Sequence, residues 1–228
     1  MCTPRAVGAS HTGSTPILRI VAVVNAKGGS GKSTLALHLA VAASQHGRNV
    51  VVLDLDPQQT VTRWGERREA PVPVVSSVAP SRLGGELGRI AAAGANMVYL
   101  DTPPRWTGAD TAAREAARVA HLVVVPVRPT VADLEATAET LGRMGSVTAA
   151  RVVVVLNGCL SRGHDADEAT AALAARGVNV CPVRIGQRVV FARSLLDGLT
   201  AQEVNQVTPA ANEVRRLHDA LNVHIEHT

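Results

Sequence analysis

The chain has 228 residues, 46% hydrophobic, 18% charged and only 2% aromatic, enough apolar material for one large α/β domain whose core must be packed with Val, Leu, Ile and Ala. No apolar run reaches the roughly 18 residues a membrane-spanning helix needs, and Cys2, Cys159 and Cys181 offer neither a metal-ligand spacing nor an even disulfide set, which suits a reducing cytoplasm. A net charge of +4 fits an anionic partner and ordinary scatter equally well.

Residues 1–16 are polar and small, without a signal peptide's apolar stretch, and are expected to be a flexible tail ahead of a domain over 17–228. Strand-like runs then alternate with helical stretches. Residues 17–24 read as a buried strand ending at a glycine-rich loop, 33–46 as a helix closed by Gly47, and 50–55 as a strand running into Asp54-Leu55-Asp56-Pro57. A helix is expected at 58–68, a short strand at 72–75, a helix at 81–93 and a strand at 97–100 that meets Asp101. Strands at 121–127 and 151–156 flank a helix at 131–144. A helix at 166–176, a weak strand at 180–183 and helices at 189–196 and 209–223 complete the pattern. Near-continuous Val/Leu strands between helices predict a mostly parallel, twisted sheet with helices on both faces, in a single domain. Ligands of such sheets bind at the strands' carboxyl ends, where Lys27, Asp54 and Asp101 would gather.

The only two lysines, Lys27 and Lys32, lie five residues apart in one loop, NAKGGSGKST, while the other 21 cationic side chains are arginines. In Gly28-Gly29-Ser30-Gly31-Lys32-Ser33-Thr34 the glycines let the backbone curl so that several N–H groups converge on phosphate oxygens. Lys32 would reach the β- and γ-phosphates, and Ser33 has the hydroxyl that ligates Mg²⁺ in such loops. The ordinary pattern begins with a glycine where this chain has Ala26, followed by the additional Lys27.

With that departure the loop resembles the deviant-Walker ATPases of the ParA/MinD family, whose loop reads K-G-G-x-G-K-[ST]. The stretch Asp54-Leu55-Asp56-Pro57-Gln58 matches the family's D-x-D-P-Q, and Asp101-Thr102-Pro103-Pro104 is similar to its second switch. The block from Ile185 through Gln187-Arg188 to Asp197-Gly198 resembles the small plasmid- and chromosome-partition members, so the likeness covers about residues 19–205. It implies a P-loop fold that binds ATP and Mg²⁺ and hydrolyses ATP slowly. It further implies that Lys27 crosses a dimer interface to the partner's nucleotide; a contact within the chain or a solvated lysine are the other readings. A homodimer closed by ATP, nonspecific nucleoid DNA, a ParB-like or other adaptor that stimulates hydrolysis, and a cytoplasmic, nucleoid-associated location follow from the same likeness.

Two residues apart, Asp54 and Asp56 would share one face of an extended strand. By position in the family motif Asp56 is the hydrolysis residue and Asp54 lies near Mg²⁺, while a capped strand end explains one of the two equally well. Asp101, after four apolar residues, has the Walker B arrangement that holds Mg²⁺ through water. Asn157, where the family often has an Asn, has the donor and acceptor to read an adenine edge; a turn asparagine fits as well. Arg184, Arg188, Arg193, Arg215 and Arg216 stand either as a patch that pairs DNA phosphates or as a solvated, ion-paired face. Arg63, Arg67 and Arg68 alternate with Glu66 and Glu69, as ordinary helix-surface pairs do. In the last helix Val214, Leu217, Leu221 and Ile225 repeat at helical spacing. Its lack of Lys, Phe and Trp favours docking on the sheet over a MinD-like membrane-surface role. No cysteine follows the switch strands, which argues against a cluster-carrying reductase of the same superfamily.

Overall fold

The computed structural model describes residues 17–104 and 112–226. The expected tail, 1–16, lies outside these residues. Seven strands form one sheet among them: β1 (Arg19–Val23), β2 (Val50–Asp54), β3 (Val74–Ser77), β4 (Met97–Asp101), β5 (Leu122–Val127), β6 (Arg151–Cys159) and β7 (Ile185–Gly186). Their order is β3-β2-β4-β1-β5-β6-β7, and every neighbouring pair is parallel.

The strands are apolar on both sides because both sheet faces are covered. One face presents Val21, Val52, Tyr99, Val124 and Val153 to α1 (Lys32–Gln45), α2 (Thr60–Arg67), α7 (Val189–Arg193), α8 (Ala201–Val204) and α9 (Pro209–Glu226). The other presents Ala22, Leu53, Leu100, Val123 and Val154 to α3 (Leu83–Ala92), α4 (Ala112–Val119), α5 (Val131–Met144) and α6 (Asp165–Ala174). Alternate residues of one strand therefore serve two separate cores. α9 buries Val214, Leu217, Leu221 and Ile225 in the first core, so its apolar stripe docks onto the sheet layer. No helix among the described residues is long and apolar enough to cross a membrane.

The structure departs from the expected elements in several places. The ladder of β3 begins after Pro73, whose missing N–H cannot join it. Residues 180–183 form only a single bridge, Val154 to Val180, because Pro182 interrupts the run; the edge strand is β7, a little later. α4, an alanine-rich helix burying Ala112, Ala113, Ala116 and Ala117, carries too weak an apolar signal to stand out in the sequence. The helix expected at 189–196 splits into α7 and a 3-10 turn, Ser194–Asp197, which closes at Gly198. Gly198 has φ +69°, and a Cβ there would sit 2.6 Å from the Arg67 carbonyl. Only glycine allows this crossing of two backbones.

Candidate nucleotide site

The site is assembled by sheet register. Val23, the last residue of β1, pairs with Asp101, and Asp54, the last of β2, pairs with Asp101 as well, so three strand ends lie level. From β1 the chain enters the glycine loop and then α1. Asn25, buried, ties that entry down. Its Nδ2 donates to the Pro126 carbonyl at 2.8 Å, and its Oδ1 accepts from the Lys27 N–H at 2.8 Å. The Ala26 N–H donates to Thr140 Oγ1 of α5 at 3.4 Å. The loop is thus fixed to the sheet by β5 and to a covering helix by α5. Neither Asn25 nor Thr140 was marked by the loop motif; an asparagine ending an apolar strand was the available signal.

Under the loop lies a polar cluster. Lys32 is buried, and its Nζ donates to the Lys27 carbonyl at 3.3 Å. Burial lowers its pKa, against the pull of Asp101 and Asp56. Ser33 Oγ donates to Asp101 Oδ2 at 2.6 Å. Asp101 is wholly buried, and that burial pushes its carboxyl up to about 7; Asp54 and Asp56 push the same way, and the Ser33 bond and Lys32 oppose them. Asp101 Oδ1 and Ser30 Oγ are buried without a hydrogen-bond partner. An orphaned carboxylate oxygen costs free energy unless a ligand satisfies it. With Ser33 Oγ beside it, the donor set is all oxygen, which fits a hard cation such as Mg²⁺.

Above this floor opens a cavity of about 400 Å³. Gly29, Gly31, Lys32, Ser33 and Thr34 form one wall, and Asp56, Thr60 and Pro104 another. The remaining wall comes from Arg128, Asn157, Gly158, Gln187, Arg188 and Phe191. Of these the sequence motifs had not marked Thr60, Arg128, Gln187 or Phe191 as ligand-facing. Lys27 does not line the cavity, and its ammonium has no hydrogen-bond or ion-pair partner among the described residues.

Two sequence expectations change here. Asp54 and Asp56 do not share a strand face, because β2 ends at Asp54 and the chain turns. Asp54 is fully buried and committed to the fold: Oδ1 accepts from the Asp56 N–H at 3.0 Å, and Oδ2 from the Thr62 N–H at 2.8 Å and the Thr62 hydroxyl at 3.0 Å. It anchors the first turn of α2 and does not line the cavity, so it is not placed as a metal ligand. Asp56, by contrast, faces the cavity from the turn. Asn157 lines the cavity, and its Nδ2 donates to the Ser30 carbonyl at 2.7 Å, which makes it a brace for the glycine loop and uses one of its two amide N–H donors.

The five arginines also divide. Arg184 is paired with Asp167 at 2.8 Å and donates to Thr170 Oγ1, and Arg188 forms a two-point pair with Glu213, its Nε 3.0 Å from Oε1. Both are neutralised inside the chain, so neither stands as a free DNA-facing charge. Arg215 donates to Asn212 Oδ1 and the Gln206 carbonyl. Arg193 and Arg216 are exposed and have no such partner among the described residues. Arg68, expected in a helix-surface pair, instead reaches Glu203 at 2.7 Å, far along the chain.

A glycine loop opening a helix, a serine bonded to a buried aspartate beneath it and parallel strand ends around it define a phosphate-loop nucleotide-binding protein. Residues 21–201 match the family described as the CobQ/CobB/MinD/ParA nucleotide binding domain. The chain belongs to that family. It is 34% identical over 185 residues to the maintenance of carboxysome distribution protein A of Gloeobacter kilaueensis, a match covering 80% of this chain and 83% of the relative. It is 29% identical over 245 residues to the chromosome-partitioning ATPase Soj of Thermus thermophilus, covering 92% and 97%. Among solved structures the fold is similar to that of the septum site-determining protein MinD complexed with Mg-ADP from Pyrococcus horikoshii, with a TM-score of 0.70, 16% identity and coverage of 90% and 96%.

Proposed function

We propose that the chain is a positioning or partition ATPase, which closes into a homodimer on ATP, holds nonspecific DNA in that state and is reset by hydrolysis that an adaptor protein stimulates. The observation that carries the ATPase reading is the unpartnered Asp101 Oδ1, buried beside Ser33 and Lys32 at the floor of a cavity of about 400 Å³. Ser33 and Asp101 hold the metal in this reading. When bound, Mg²⁺ draws charge from the transferring phosphoryl group. Lys32 and the loop N–H groups hold the phosphates. Asp56, at the cavity wall and beyond the end of β2, orients the attacking water. Lys27, outside its own chain's cavity and without a side-chain partner among the described residues, would serve the nucleotide of a second protomer, where an added cation offsets developing charge. The relatives' names supply the positioning role, and Arg193 and Arg216, exposed and without an ion-pair partner among the described residues, support the DNA step.

A DNA-binding titration with ATP, ADP and no nucleotide tests this. Retention of DNA with ATP, and its loss with ADP, is expected. Equal retention in the two states counts against a nucleotide-gated DNA switch. Absence of ATP turnover with DNA, Mg²⁺ and candidate adaptors present would remove the enzyme reading.

A further inference from the structure

α1 carries a second group of ligand atoms at the end away from the glycine loop. His46 follows its last turn and faces His218 of α9, with ring centroids 4.5 Å apart and planes 22° from parallel. Asp219, the next residue on α9, has its Oδ1 3.3 Å from His218 Nδ1. One donor atom from each of the three residues lies within 4.8 Å of the other two, the one such group among the described residues.

Hydrogen bonding prepares the His46 ring. His46 Nδ1 lies 2.8 Å from the Ala42 carbonyl, which can only accept. The neutral ring therefore carries its proton on Nδ1 and keeps the lone pair on Nε2. Metal-ligating histidines commonly hold a carbonyl or carboxylate with the nitrogen that does not bind the ion, and His46 does so. His218 has its Nδ1 beside the Asp219 carboxylate, which brings two of the donor groups together. We propose that His46, His218 and Asp219 form a site for one zinc-class divalent cation, which clips the carboxyl end of α1 to α9.

Two imidazoles and a carboxylate suit Zn²⁺, Co²⁺ or Ni²⁺ far better than Mg²⁺ or Ca²⁺, which take oxygen sets. The cluster therefore differs in kind from the oxygen donors under the glycine loop. His218 is buried, and burial lowers its pKa, with His46 and Arg48 adding to the effect and Asp219 opposing it. The nearby Arg48 is paired with Glu226 at 3.0 Å, which tempers its repulsion of an incoming cation. Tetrahedral zinc with bonds of about 2.0–2.1 Å holds its donors roughly 3.3 Å apart. The three donors must close by at most about 1.5 Å from their present 4.8 Å limit. The exposed side chains of His46 and Asp219 have the freedom to do this by rotation, around a fixed His218. Three protein ligands on an open surface leave a position for water.

The test uses the full chain without nucleotide, titrated with Zn²⁺ by calorimetry and with Co²⁺ by visible absorption. Wild type is expected to bind one equivalent, to show the intense visible band of low-coordinate Co²⁺ and to melt at higher temperature with Zn²⁺ present. His46→Ala, an exposed change, should melt normally without metal, bind at least about tenfold more weakly and lose the Zn²⁺-dependent rise. Asp219→Asn should weaken binding in the same direction. Any response to Mg²⁺ should be the same in wild type and in both variants. Binding of the same strength in wild type and both variants would place the ion on other histidines or cysteines and overturn the proposal, as would no binding to wild type.

Discussion

At the scale of single residues, the cavity carries three separate demands. Lys32 is buried at its floor, and in the proposed reading its ammonium meets the phosphates, so Lys32→Ala should abolish ATP binding, read by fluorescent-nucleotide titration. Asp56 faces the cavity from a turn, and its carboxylate accepts from the Gln58 N–H. Asp56→Ala should therefore keep ATP affinity and stop turnover; lost affinity would show that it binds rather than activates. Gly31 has φ +93°, and a Cβ added there would meet Asn157 Nδ2 at 2.2 Å. Left-handed backbone costs a residue with a Cβ about 1–2 kcal/mol, and the contact adds to this. Gly31→Ala should lower the melting temperature and weaken ATP binding, and adding Asn157→Ala should restore only the part due to the contact. The loop's motif made Gly31 and Lys32 legible in advance because phosphate chemistry constrains a short, contiguous stretch. The bracing role of Asn157 was not legible, because it depends on a loop that is more than a hundred residues away in sequence.

At the scale of elements, long-range polar contacts join segments that local patterns cannot connect. Arg68 closes α2 with a buried guanidinium, 4% exposed in its side chain, that pairs with Glu203 and also donates to the Val72 and Gly198 carbonyls. It lies over the Trp64 ring at 4.8 Å. Glu203 in turn closes the capping box of α8 with Thr200. Removing one partner of a buried pair strands the other, at a cost of about 3–5 kcal/mol. Arg68→Ala should lose about that much in urea unfolding. Arg68→Lys should recover little, because one ammonium cannot reproduce the forked contacts. The alternation of Arg and Glu around Arg68 concealed this, since the partner is set by how α8 packs on α2.

α1 is held to α8 by a histidine. His38 Nδ1 faces the Thr34 carbonyl at 2.7 Å, and Nε2 accepts from the Ala201 N–H at 3.0 Å, so the neutral ring is fully used. Burial, against the pull of Thr34 and Glu203, holds its pKa down to about 4 from an ordinary 6.5. The unfolded chain therefore takes the proton first on acidification. The stability this ring contributes is complete above pH 6.5 and is lost as pH falls through 4, by at most roughly 3 kcal/mol. Urea midpoints measured between pH 7 and 4 should fall steeply in wild type. In His38→Leu they should start lower, because the Ala201 N–H loses its acceptor, and fall less.

At the scale of the whole molecule, the parallel sheet, its two covered faces and the docked last helix were legible because each rests on a repeating apolar pattern. The polar surface was less so. Five arginines in one C-terminal stretch look alike in sequence, yet Arg184 and Arg188 are spent on Asp167 and Glu213 while Arg193 and Arg216 are not. Charge alone does not say which side chain is already engaged. DNA retention with ATP should weaken steeply as salt rises. Arg193→Ala with Arg216→Ala should flatten that salt dependence, and Arg184→Ala should leave it nearly unchanged, in filter binding across a salt series. Equal effects of the two sets would mean that the ion pairs open on DNA.

The level strand ends have a mechanical consequence. Asp101 is locked to Val23 and to Asp54 by backbone ladders on both sides, so moving it requires shearing the centre of the sheet. Asp56 lies past the last paired residue of its strand, in a turn that continues to Gln59 at φ +53°. The cavity thus has a stiff bed and a compliant bank. Events at the nucleotide that reach the protein surface must be transmitted through the bank, by way of Asp54 and its hold on α2, and hydrogen exchange should find the amides of 55–62 opening more readily than those of β4.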